Sequence, residues 1–492
     1  MYALIISHEA RSLARTSMLS VLLTVLACAI AFAAWSGRNM IDRQMQGADA
    51  AIAFEAGMRD AMRADVIKYE QKIEDEGGEV QFATINHAPG SGPPQGTNAG
   101  AVGAETAAYA VLPPTGLAAL SIGQSDISLS YVPVNMRNIV DVTRYSEIEN
   151  PVNLATGAFD ISFVIIFLLP IFILALTYGV LSSEKEQGTL AMIMAHPISL
   201  RELMTCKLIT RFMILLGVVA VAGLASTLAV GTQLDNPETW MRFGFWAGAC
   251  LLYGMFWFFL AVFVNAMGKS SATNGLILAG SWLLFVVIVP TLVSIVATTL
   301  YPAPSRMDLV TASREAQTEA SFQYMKALDE FYYDHLELVP NAEDKARDFL
   351  TLSIANSEAI EKEVRPLYDQ FQSQLNRQEG LVQQYQYLSP AIMMQQALNE
   401  VSGTSADRYE DFMGQVFDFH KEWKDYFAVR FLSKDPLVSA DYDRFPEFEY
   451  RPESLSDVIA RLSPALIGLF GVMILAGVAA FVRLRSYQVA AR

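Results

Sequence analysis

Six stretches of this 492-residue sequence are apolar enough and long enough to cross a bilayer, and that pattern commits the chain to a membrane. They lie at about 17–35, 161–181, 209–231, 243–265, 273–299 and 462–482. At 1.5 Å per helical residue, each covers a hydrocarbon core of ~30 Å. The first run is longer than the apolar part of a signal peptide and ends in Phe32 and Trp35 rather than a small-residue cleavage site, so it reads as a retained anchor. Pro170 and Pro290 fall inside two runs. A bilayer helix tolerates proline when a neighbour satisfies the freed carbonyl, so kinks are expected there rather than breaks.

Short segments beside the runs carry Arg11, Arg15, Lys185, Arg201, Lys207, Arg211, Lys269, Arg483, Arg485 and Arg492, all on one side of the implied membrane. The positive-inside rule makes that side the cytoplasm and places both termini there. With Glu9, Glu184, Glu186 and Glu202 as the opposing acids, ten bases against four leave this side at +6, so a total of −16 leaves −22 for the rest. The acidity is therefore outside. No cluster of Lys and Arg suits a phosphate backbone, which excludes nucleic acid as a partner.

The 17% of charged residues concentrate in two long polar regions, 37–158 and 300–460, which this topology puts outside. The first opens with a helical periodicity from Arg38 to Asp75, read as a stalk continuing the first span. A run with the composition of a mobile loop, PGSGPPQGTNAGAVG at 89–103, and a β-leaning ISLSYVPV at 127–134 follow, so the region is expected to be mixed α/β. The second is mainly α-helical, with helices predicted at 308–338, 342–380 and 404–433. The last carries Phe412, Val416, Trp423, Phe427 and Phe431 at helical spacing, most simply a core face. The cysteines, Cys28, Cys206 and Cys250, sit in or beside apolar runs, so neither polar region holds an internal disulfide.

Between the second and third runs stands SSEKEQGTLAMIMAHPISLRELMTCK, 182–207. Glu184 and Glu186 precede a Gly188-Thr189 break; a short amphipathic helix from Leu190 to Ala195 follows, and Pro197 ends it. Ser199 and Glu202 form an S-x-x-E capping box for the next helix. A short helix held across the membrane surface between two spans suits mechanical contact with a soluble partner.

This segment resembles the coupling segment of the ABC-2 type permeases of bacterial ABC exporters, E-x-E-x-G-T-L followed by a short helix, P-[IV]-[ST] and a Lys. The matching residues are Glu184, Glu186, Gly188, Thr189, Leu190, Pro197, Ile198, Ser199 and Lys207. The opening ALIISHEARSLARTS, with Glu9, Arg11 and Arg15, resembles the family's elbow helix. The stretch 388–409 is similar to a subgroup with a large outer domain between the fifth and sixth spans. The resemblance implies a polytopic α-helical protein of the bacterial cytoplasmic (inner) membrane, with elbow 1–16, spans 17–36, 159–181, three within 209–299, and 461–483, coupling segment 182–208 and tail 484–492. It implies a permease in contact with membrane lipid, coupled to an ABC ATPase subunit that binds ATP and Mg, and paired with a second copy or a homologous permease. Coupling would run through the residues above together with Met192, Ile193 and His196.

No catalytic or metal centre is expected on this chain. Gly268-Lys269-Ser270 is no P-loop, because Phe263 stands where the motif needs glycine. The histidines form no H-x-x-x-H or HExxH pair, and no G-x-S-x-G elbow occurs. Ionisable groups well inside the runs are missing; Asp160 and Arg211 stand at edges, where snorkelling suffices. Asn265, Asn274 and Ser281 read as interhelical hydrogen-bonders or as a polar path. Two uses of the energy stay open: cargo crossing the spans, or a relay to the outer regions acting on a periplasmic or lipoprotein partner.

Overall fold

The computed structural model describes residues 2–15, 17–83, 92–123, 125, 129–136, 159–195, 199–229, 236–302, 311–312, 314–316, 318–319, 333 and 349–487. Six helices are long and apolar enough to cross a membrane: Leu19–Glu76, Ile161–Glu186, Leu200–Ala225, Pro237–Asn265, Ser271–Leu300 and Leu455–Arg485. An elbow helix, Tyr2–Arg15, precedes them. The first span continues without a break into the polar region as one 60-residue helix, Ser17–Glu76, roughly 90 Å long.

The fourth span carries the centre of the bundle, where Trp246, Tyr253 and Trp257 are fully buried. Two of the prolines within the spans are preceded by π-helical turns, Val164–Leu168 before Pro170 and Leu283–Ile288 before Pro290, whereas Pro464 lies inside the helix of the last span. The wider turn makes room for the ring, and side chains from other helices supply the missing donors. Tyr253 Oη donates to Ile166 O (2.9 Å), where α-helical bonding would need the N–H that Pro170 lacks. Ser389 Oγ donates to Phe285 O, where the π register would need the N–H that Pro290 lacks.

Ser389 belongs to a feature absent from the sequence reading. Helix Phe349–Tyr385 returns along the fifth span, with Leu381 against Val293 and Ala297. The chain turns at Gln386–Leu388 and leaves through a second helix, Pro390–Ser402, whose Ala391, Met393, Met394, Ala397 and Leu398 are buried among the spans. Phe285 is midway along the fifth span, so the turn sits at mid-span depth, with Gln386 and Ser389 buried and Tyr387 and Leu388 exposed on its outer side. Non-helical backbone is tolerated at such depth only when protein surrounds it. Arg242 of the fourth span holds the far end, donating from Nη1 to Glu400 O (3.4 Å) and Val401 O (3.3 Å), and Gly403 stops the helix at φ +66°.

The two polar regions, read apart in sequence, share one core. Strands β1 (Ala108–Val111) and β2 (Tyr131–Val134) pair antiparallel with Ala108 opposite Val134. Val132 and Val134 pack with Phe412, Trp423, Phe427 and Phe431 of helix Ala406–Leu432 and with Val66 of the long helix. The aromatic stripe is thus a core face. Most of the predicted helix 308–338 lies outside the described residues. The glycine-rich run departs from expectation over its described part, 92–103: it forms a 3-10 turn, Gln95–Thr97, and the start of a buried helix, Ala99–Glu105. A Cβ on Gly100 would stand 2.7 Å from the Phe431 ring and one on Gly103 2.7 Å from that of Phe427. The glycines answer close packing, and Trp423 Nε1 donates to Gly103 O (3.1 Å).

Where this domain meets the last span, Arg461 Nε sits 3.2 Å from Glu400 Oε2 and 3.7 Å from Asp407 Oδ2. Beside this cluster, burial first, then the carboxylates of Asp407, Glu400 and Glu410, push the Glu379 carboxyl up to about 7. A carboxyl raised on folding contributes stability that is complete below its unfolded value and lost as pH rises through the folded one. Glu379→Gln should therefore leave the thermal midpoint almost unchanged near pH 4.5 and raise it above wild type at pH 8. Tyr253→Phe, which strips the donor from Ile166 O, should lower stability by about 1–3 kcal/mol at any pH. Thermal melts of the detergent-purified chain check both.

A candidate coupling site at the loop after the second span

The second span ends where three spans converge on its last carbonyls. Helix Leu169–Thr177 stops short of giving them α-helical partners, and in the turn that follows Val180 N donates to Thr177 O (3.2 Å). Arg211 Nη1 of the third span donates to Leu176 O, Asn265 Nδ2 of the fourth to Thr177 O (2.9 Å), and Asn274 Nδ2 of the fifth to Tyr178 O (3.5 Å). Asn265 Oδ1 accepts from Leu181 N (3.4 Å), bridging the turn that follows. Asn265 and Asn274 are therefore interhelical hydrogen-bonders, and Ser281 bonds within its own helix to Ile277 O.

From this clamp the chain forms a short helix, Ser182–Glu186, breaks at Gly188, and forms a second, Thr189–Met194. Gly188 has φ +74°, a conformation that a side chain would strain. Thr189 Oγ1 donates to Glu184 O (3.2 Å) across the break. The Glu184 carboxylate accepts from Lys207 Nζ, and Lys207 lies 4.0 Å from Glu9 of the elbow helix. Glu9 Oε1 in turn accepts from Arg211 Nη2 (2.6 Å) and Nε (3.0 Å). Two acids and two bases, with Glu9 only 9% and Lys207 10% exposed, form one balanced, largely buried network. Arg211 does not snorkel; it is paired inside. Asp160 likewise serves as a cap, accepting from Phe163 N (2.7 Å) and Ile122 N (2.8 Å).

Glu186 reaches elsewhere. Its carboxylate accepts from Ser271 N (2.7 Å) and Ser271 Oγ (3.0 Å), at the positive end of helix Ser271–Trp282 in the fifth span. Leu190 is buried with Leu203, Met204, Val262, Ala480 and Leu484, and Ile193 packs against them, which fastens the second short helix to the third, fourth and sixth spans. Met192 faces away and is 72% exposed. The capping box forms as the spacing predicts: Ser199 N donates to Glu202 Oε2 (2.9 Å) and Glu202 N to Ser199 Oγ (3.2 Å).

The structure thus gathers Glu9, Glu184 and Lys207 in one network and sends Glu186 to a separate contact. Arg11 and Arg15 are exposed and outside it. His196, Pro197 and Ile198 lie outside the described residues. Sequence reasoning missed Arg211, although its place four residues after Lys207 on one helix face was a usable signal. It also missed Ser271.

Removing one member of a buried ion pair leaves an uncompensated charge, worth about 3–5 kcal/mol, whereas removing both is close to neutral. Arg211→Met should destabilise by that order, and Glu9→Gln combined with Arg211→Met should recover most of the loss in a thermal melt.

The sequence profile of the ABC-2 family transporter protein matches residues 4–489. A Stutzerimonas stutzeri protein described as "Probable ABC transporter permease protein NosY" is 29% identical over 126 residues, which cover 25% of this chain and 45% of that protein. The match thus spans less than half the length of this relative. The profile match, extending over nearly the whole chain of six spans, shows that this multi-pass membrane protein belongs to the ABC-2 family of transporter proteins.

Proposed function

We propose that the chain is the permease subunit of an ATP-driven ABC-2 type exporter in the bacterial cytoplasmic membrane, with both termini and the 182–208 segment inside and the shared polar domain outside. A separate ATPase subunit binds ATP and Mg, and a second permease copy or a homologue completes the assembly. The observation that carries this reading is the wiring of one short loop. Through Glu184, Glu186 and Leu190 it holds the third and fifth spans, and its apolar anchor reaches the fourth and sixth. A push on Met192 and the short helix beneath it reaches the whole bundle. The elbow helix shares the motion through Glu9. Family membership and the relative's description support the assignment.

A second reading, a relay to the envelope without cargo crossing the spans, is supported by one observation. The unbroken helix Ser17–Glu76 joins the bundle to the polar domain, where Arg63 forks onto Asp443 (2.8 and 2.6 Å) and Glu70 Oε1 accepts from Ser439 N (2.7 Å). A groove between the first and third spans is lined by Ile30, Ala34, Ile214 and Val221, with no charged group in its wall.

Met192→Glu changes an exposed side chain and should leave the thermal midpoint unchanged. It should weaken co-purification with the ATPase by tenfold or more, the range of an interface hot spot. Glu186→Ala should preserve that association and uncouple ATP hydrolysis from the permease, read as loss of permease-dependent stimulation of ATPase activity. Unaltered association in Met192→Glu would place the ATPase elsewhere.

A further inference from the structure

A cavity of about 140 Å³ opens where the long helix leaves the first span, between that helix, the segment before and after the β1–β2 connection, and the turn 403–409 that follows the inserted helix. Its place is tied to the membrane surface. Met40 in its wall is five residues, about 8 Å, beyond Trp35. Ile122, also in the wall, donates its backbone N–H to Asp160, the residue that caps the second span.

The lining is apolar with one buried cation. Arg408, 9% exposed, donates from Nη1 to Gly403 O (2.8 Å) and from Nη2 to Pro113 O (2.7 Å), with its guanidinium 5.4 Å from the centre of the Tyr450 ring. Both hydrogen-bond acceptors are neutral carbonyls. A guanidinium carries five N–H donors; these bonds occupy two of them, and the Tyr450 hydroxyl stands beside the same guanidinium. Among the described residues no carboxylate forms a direct ion pair with Arg408, so its immediate partners in the wall are neutral. Along the open lip, Met45 and Ile52 are 46% and 45% exposed on one face of the long helix. Asp49 is exposed between them, which disfavours a polyanion and suits a ligand with a single negative charge.

We propose that this cavity binds a membrane-derived amphiphile with one anionic group and an acyl chain. The anionic group, carboxylate or phosphate, sits against Arg408, and the chain follows Met40, Met45 and Ile52 along the helix. An apolar cavity of ~150 Å³ holds a benzene-sized molecule, so this one takes the head group and the first few methylenes, and the rest of the chain lies on the lip or in the bilayer. The inference depends on the membrane placement and on the local geometry, not on the permease reading; binding is measured without an ATPase.

The test uses the full chain in phosphatidylcholine nanodiscs, labelled with a diazirine-bearing palmitate, with cross-linked peptides mapped by mass spectrometry. Labelling is expected within 40–52 and 403–409. Palmitate and lysophosphatidate should compete for it, the neutral monoacylglycerol at least tenfold less well, and inorganic phosphate not at all. Ile52→Glu, at an exposed position, should cut labelling about tenfold or more with an unchanged thermal midpoint. Arg408→Gln also removes a tie between two segments, so its readout is a ratio: the preference for palmitate over monoacylglycerol should fall to about one. Labelling confined to the spans, or insensitive to Ile52→Glu, overturns the site. Competition by phosphate alone overturns the acyl chain. Equal competition by monoacylglycerol in the wild type overturns the role of Arg408.

Discussion

Backbone carbonyls that a bilayer helix leaves open must be satisfied by protein, because hydrocarbon offers no water to do it. In this chain that constraint decides which helices touch. The carbonyls of Leu176, Thr177 and Tyr178, exposed where the second span stops, draw Arg211, Asn265 and Asn274 from the next three spans. Those ahead of Pro170 and Pro290 draw Tyr253 and Ser389. Each is a polar side chain that would be expensive in lipid on its own. Paired in this way it is both satisfied and directional, and dispersion packing around Trp246 and Trp257 then closes the bundle.

The same logic explains the insertion between the fifth and sixth spans. The 3-10 turn at Gln386–Leu388 interrupts α-helical backbone at mid-span depth, and Ser389 secures it by capping the following helix while donating to Phe285. Helix Pro390–Ser402 holds Gln395, Gln396 and Asn399 on a 13-residue length, and Gln395 and Asn399 bond one another (2.9 Å), with Asn399 also accepting from Ser121 (2.8 Å). Polar groups at this depth are tolerated where they answer each other.

What the sequence made legible follows from how local each signal is. The spans stand out because hydropathy is averaged over about twenty residues, and the Ser199–Glu202 box because its two partners are three residues apart. The helix Pro390–Ser402 escaped because it is too short and too rich in amides for that average. The glycine run at 92–103 was misread because glycine is required by loops and by close packing alike, and only the position of Phe427 and Phe431, more than 300 residues away, distinguishes the two. The single core shared by the two polar regions was illegible for the same reason. In the loop, the break at Gly188 and the capping box were readable as a pattern, whereas the pairing of Glu9 with Arg211 spans 202 residues and leaves no local mark.

A continuous set of contacts runs from the loop to the polar domain. Glu186 holds the first turn of the fifth span; the π turn of that span holds Ser389; the helix from Ser389 ends at Glu400, which meets Arg461; and Thr115 Oγ1 donates to Ser402 O at the base of the polar core. A π turn is a place where an extra residue per turn is already accommodated, so its register can change with less disruption than that of an intact α-helix. Two structures thus join the bundle to the polar domain, the unbroken first helix and this jointed series of contacts.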